Sequence, residues 1–122
     1  MNLRRLIVTV AVAASVAMGL VACAPTSEPI VISTDTVIVD VRTPEEFATG
    51  HLDGAINIDV QSPSFDSLAS QLPEGAELIV YCRSGNRSGA AIMRLEALGF
   101  TAMTNAGGLD EAAASTGLAI VR

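Results

Sequence analysis

Glu77-Leu-Ile-Val-Tyr-Cys-Arg-Ser-Gly-Asn-Arg-Ser88, followed by Gly-Ala-Ala-Ile-Met-Arg-Leu-Glu-Ala-Leu98, is the stretch on which the fold turns. Residues 77–81 form a short apolar run of strand length, the pattern of a strand covered on both faces, and Cys82 stands at its carboxyl end. Ala91, Ile92, Leu95 and Leu98 recur at helical spacing and Gly99 supplies a C-terminal stop, so the spacing predicts a helix over 88–98. A strand, a short polar loop and a helix in that order are half of a crossover unit. Such units build parallel sheets.

The alternation continues on both sides. Thr36-Val-Ile-Val-Asp-Val41 reads as another buried strand. Thr43-Pro-Glu-Glu-Phe47 reads as a helix start with Thr43 as N-cap, Pro44 at N1 and Glu46 closing a capping box, and Gly50 ends the helix. Ala55–Ile58 is a second short strand. Ser62–Leu72 is a helix with Phe65, Leu68, Ala69 and Leu72 on one face. Phe100–Met103 is a last strand and Leu109–Ser115 a final helix. The expectation is an α/β domain over residues 34–122 with a mainly parallel sheet.

In open α/β sheets, ligands bind outside the carboxyl ends of the strands. Cys82-Arg83-Ser84-Gly85-Asn86-Arg87-Ser88 occupies that location. A glycine among small polar residues lets successive backbone N–H groups converge on an anion, and the helix that follows adds its positive N-terminal end. Arg83 and Arg87 add fixed charge. Each of these favours a thiolate over a thiol, so Cys82 is expected to be acidic and nucleophilic. The alternative is an inert cysteine at a strand end.

Composition separates two unlike parts. The chain has 122 residues, half of them apolar, and all seven of its basic side chains are arginine. Residues 1–22 contain two of those arginines and no acid. The remaining 100 residues hold 13 acids against five arginines, a net charge near −8. That is one small domain with a globular apolar fraction, which excludes a disordered chain. Scattered arginines on an acidic body leave no footprint for nucleic acid.

Met1–Arg5 is a short positive start, Leu6–Leu20 a nearly unbroken apolar run, and Leu20-Val-Ala-Cys23 closes it. These are the parts of an export signal. The last four residues resemble a bacterial lipobox, which implies cleavage after residue 22, lipid on Cys23 and an extracytoplasmic protein anchored to its membrane. An uncleaved transmembrane anchor and an ordinary cleaved signal are the alternatives. Residues 23–33, with Pro25 and Pro29, read as the lipidated end and a short tether.

Val39-Asp-Val-Arg42, Glu45-Glu-Phe47, Gly50-His-Leu-Asp-Gly-Ala-Ile-Asn57, Cys82–Ser88 and Ala106-Gly-Gly-Leu109, in that order, resemble a single-domain rhodanese over roughly residues 35–120. With the export signal, the chain looks like the small periplasmic thiosulfate sulfurtransferases of that family. The resemblance implies a parallel five-stranded sheet flanked by helices and a Cys82 persulfide. It implies a small anionic sulfur donor, a thiol or cyanide acceptor, a monomer and no cofactor. Cys82 is then the nucleophile. The loop N–H groups and Arg87 hold the persulfide and the departing sulfite, and Arg83 docks thiosulfate. Where many members carry a tryptophan after Gly-Gly-Leu this chain has Ala112, which loosens the expectation for the last helix.

The nearest rival chemistry, a cysteine phosphatase, uses a C-x5-R loop. Here four residues separate Cys82 from Arg87 and the sixth position is Ser88, a narrower cradle suited to a single sulfur. His51, the sole histidine, reads as structural rather than as a general base. Asp40 and Arg42 read as a structural ion pair, and Glu45 and Glu46 as capping and surface charges. One histidine and one remaining thiol cannot build a dedicated metal site. A Cys23–Cys82 disulfide is excluded if Cys23 carries lipid. A sulfur carrier without turnover and a thiol redox sensor remain as alternatives.

Overall fold

The structure is a computed structural model and describes residues 28–122. The export signal, Cys23 and the first part of the tether lie outside the described residues. In chain order the elements are β1 (Thr36–Asp40), α1 (Pro44–Thr49), β2 (His51–Leu52), β3 (Ile56–Asn57), α2 (Phe65–Ala69) and β4 (Glu77–Cys82). Then follow α3 (Asn86–Ala97), β5 (Met103–Gly108), α4 (Leu109–Thr116) and β6 (Ile120–Val121). A four-stranded parallel sheet has the order β3-β1-β4-β5, and β2 pairs antiparallel with β6. The fold is the expected α/β one, with four strands in the main sheet where five were expected.

Alternation along β4 distributes the core. Leu78, Val80 and Cys82 face one side of the sheet and pack with Phe65, Ala91 and Leu95 from α2 and α3. Ile79 and Tyr81 face the other side and pack with Leu52, Ala106 and Ala112. Each of these large apolar side chains, buried completely, contributes about 1.5–3 kcal/mol. The parity of the strand therefore decides that Cys82 lies under α3.

Several boundaries differ from those read in the sequence. The helix expected over 62–72 is confined to Phe65–Ala69, because the chain on either side closes tighter i-to-i+3 turns: Phe65 N–H donates to the Ser62 carbonyl and Leu72 N–H to the Ala69 carbonyl. Leu68 is exposed, not part of the buried face. The last parallel strand is Met103–Gly108, not Phe100–Met103, although Phe100 is buried as a core residue. Pairing with β4, Asn105 opposite Val80 and Gly108 opposite Cys82, draws Asn105-Ala-Gly-Gly108 into the sheet although these residues have little preference for a strand, with Gly107 at φ 78° inside the register shift. The small β2–β6 pair was not foreseen. The α1 cap has the expected form: Thr43 Oγ1 accepts from Glu46 N–H, and the Glu46 carboxylate accepts from Thr43 N–H. The final helix forms without an aromatic residue, with Ala112 buried against the sheet.

Candidate active site

Two inner strands, β1 and β4, carry the site at their carboxyl ends. Asp40 is in register with Tyr81, one residue before the cysteine. At the end of β1, Asp40 takes Arg42 in a two-pronged pair: Nε donates to Oδ1 at 3.0 Å and Nη2 to Oδ2 at 2.7 Å. Both side chains are buried. Arg42 Nη2 also donates to the Gly50 carbonyl, which ties α1 to the sheet. Asn57 donates to the Asp40 and Arg42 carbonyls from β3. The expected ion pair is thus present and buried. His51 is held by α1: its ring stacks on Phe47 at 3.7 Å and Nδ1 bonds the Phe47 carbonyl.

Chain geometry makes the loop shorter than its sequence appearance. Gly85, with φ 93°, caps α3, so Asn86, Arg87 and Ser88 belong to the first turn of the helix. That left-handed conformation is cheap for glycine alone among the residues of the loop. The Gly85 N–H donates to Cys82 Sγ at 2.9 Å. The Ser88 hydroxyl lies 3.4 Å from the same sulfur. Cys82 is a free thiol, buried beneath this turn. Burial pushes its acidity in the unfavourable direction. Hydrogen bonds from the Ser88 hydroxyl and from the N–H groups of Ser88, Ser84 and Gly85 outweigh that and hold the thiol below its ordinary value.

The source of that acidity differs from the expectation in one respect. The backbone cradle and Ser88 stabilise the thiolate, while Arg87 is turned onto Glu46 of α1. Arg87 Nη1 donates to Oε2 at 2.8 Å and Nη2 to Oε1 at 2.9 Å. Arg83 is exposed and lines a cleft of about 450 Å³ with Arg42, Glu46, Asp110 and Glu111. Ser84, Gly85 and Asn86 line a larger cleft of about 860 Å³ with Asn105 and Gly107. The loop thus stands between two clefts, with the sulfur beneath it.

The Glu46–Arg87 pair was not legible, because 41 residues separate the partners. Its hydrogen bonds with Arg87 hold the Glu46 carboxyl at about 2, from an ordinary value of 4.5, against the opposing effect of burial. A carboxyl more acidic when folded adds stability above its unfolded value, and that stability is lost as pH falls from 4.5 towards 2. Glu46→Gln is therefore expected to flatten the acid limb of the stability curve in urea titrations across this window. Curves that stay parallel to wild type contradict the pair.

The model of the rhodanese-like domain family matches residues 29–115. This chain belongs to that family. It is 38% identical over 76 residues to the thiosulfate sulfurtransferase PspE of Escherichia coli, covering 62% of this chain and 72% of that one. It is 34% identical over 109 residues to the chloroplastic thiosulfate sulfurtransferase 16 of Arabidopsis thaliana, covering 77% and 91%. Among solved structures, an E. coli rhodanese with anions superposes with a TM-score of 0.60 at 31% identity, covering 71% of this chain and 98% of that one. The Cys82 turn lies inside the segment matched by the rhodanese family model.

Proposed function

We propose that the chain is a thiosulfate sulfurtransferase working through a Cys82 persulfide. The observation that carries this reading is the Gly85 N–H aimed at Cys82 Sγ at the head of α3, in a chain whose relatives are named thiosulfate sulfurtransferases. The thiolate attacks the outer sulfur of thiosulfate. The S–S bond of the donor breaks, sulfite leaves with the bonding electrons, and Cys82 keeps the sulfur. A thiol or cyanide then attacks that sulfur and the cysteine departs as thiolate. Arg83 draws the anionic donor to the mouth of the turn. The N–H groups of Ser84, Gly85 and Ser88 stabilise the charge on sulfur, and Asn86 opens the helix that carries the last of them. Arg87, fixed by Glu46, is a positive charge beside the departing sulfite.

Covalent transfer in two halves predicts ping-pong kinetics. Initial rates with thiosulfate and cyanide both varied are expected to give parallel double-reciprocal lines; intersecting lines contradict a persulfide intermediate. The lipobox supports a lipid on Cys23 and an anchored, extracytoplasmic location. Acyl chains in the mass of the mature N-terminal peptide test this, and a peptide beginning at Met1 overturns it.

A further inference from the structure

The hydroxyl of Ser88 has one proton and three acceptors within reach. Asn105 Oδ1 lies at 2.7 Å, the Gly85 carbonyl at 3.0 Å and Cys82 Sγ at 3.4 Å. Asn105 comes from the neighbouring strand β5, and its amide has no freedom to turn. Its Nδ2 donates to the Gly85 carbonyl at 3.0 Å, and its Oδ1 accepts from Gly107 N–H at 3.0 Å. A reversed amide would set N–H against N–H. Oδ1 therefore faces Ser88 permanently as an acceptor.

This fixes the proton arrangement in each state of the sulfur. When Cys82 is a thiol, its S–H donates to Ser88 Oγ, and Ser88 donates onward to Asn105. When Cys82 loses its proton to solvent, the thiolate needs the Ser88 proton, and the hydroxyl turns from Oδ1 to Sγ. The turn leaves no orphan, because Oδ1 keeps the Gly107 N–H. The same amide holds the Gly85 carbonyl, on the residue whose N–H meets the sulfur.

We propose that Asn105 is a positioning residue: it competes with the Cys82 sulfur for the single proton of Ser88 and so sets how readily the nucleophile is formed. The proposal rests on the reading of Cys82 as the nucleophile. It concerns a residue in the glycine-rich end of β5, outside the Cys82–Ser88 loop.

Thiolate ultraviolet absorbance of the full chain in detergent, with the Cys82→Ser signal subtracted, reads the effect directly. Tyr81, the sole tyrosine, is pushed well above its ordinary range by burial and stays out of the window. The charged groups around the turn are the same in wild type and in the alanine variants: Arg83, Arg87 with Glu46, Asp59, the Asp40–Arg42 pair and Glu111. Six proteins are compared: wild type, Asn105→Ala, Ser88→Ala, the double alanine variant, and Asn105→Asp with and without Ser88→Ala. Removing Asn105 frees the Ser88 proton. The midpoint shift it causes is expected to lie about one pH unit lower when Ser88 is present than when residue 88 is alanine. Asn105→Asp, whose anion holds that proton more tightly, is expected to shift the midpoint upward, and less so in the Ser88→Ala background. A merely structural role gives equal shifts in both backgrounds, and equal shifts overturn the proposal. Coupled shifts in a chain that takes up no sulfur support it and overturn the sulfurtransferase reading instead.

Discussion

Gly108→Ala is expected to lower thiosulfate:cyanide turnover about a hundredfold, the loss that follows when a reacting group is displaced by about an ångström. Gly108 is paired with Cys82 across β4 and β5, at a register shift between Val80 and Cys82. Its backbone, with φ −82° and ψ 172°, is one that alanine adopts freely, so the effect is contact alone. A Cβ there runs into the carbonyl of Arg83, the first residue after the nucleophile. That obstacle is backbone and cannot swing aside as a side chain would, so the turn over the sulfur must move. Stability is expected to fall as well, by about 1–3 kcal/mol for the overpacking. At neighbouring Gly107 an added Cβ meets the Glu111 carboxylate, a flexible end, and there the strain comes from the backbone, whose φ of +78° suits glycine. Comparing kcat/KM of Gly108→Ala with wild type, beside urea titrations, checks the expectation. Turnover equal to wild type contradicts it.

Asp40→Ala is expected to destabilise the chain by about 3–5 kcal/mol. The attraction within a buried pair is largely offset by the desolvation of both ions, so the cost of the variant comes from what it leaves behind. Arg42 would stay in place, buried, held by the Gly50 carbonyl and over the Tyr81 ring at 5.7 Å, with no carboxylate to neutralise it. The brace between β1, α1 and β3 would lose its centre. A drop in urea midpoint of this size at unchanged slope supports the account; a loss within the range of ordinary surface substitutions contradicts it.

Local chemistry was legible in the sequence wherever a single segment decides the outcome. The strand Glu77–Cys82, the capping box of Thr43 and Glu46, the stop at Gly99 and the turn at Cys82 all depend on neighbours within a few positions. What escaped depends on partners far along the chain. Asn105-Ala-Gly-Gly108 is a strand because β4 supplies its hydrogen bonds, not because of its own residues. The two-residue strands β2 and β6 exist only through each other. Arg87 is plain in the sequence, but the Glu46 carboxylate that fixes its position lies 41 residues away. The Ser88–Asn105 bond gave no signal either, since the asparagine stood in a stretch with no periodicity.

Sulfur transfer through a persulfide requires Cys82 to take and give up one sulfur atom. The most direct test is the intact mass of the full chain after exposure to thiosulfate and removal of the excess, compared with Cys82→Ser. Wild type is expected to gain one sulfur and to lose it on adding cyanide, and the variant to gain none. An unchanged wild-type mass, or an equal gain in Cys82→Ser, contradicts this expectation.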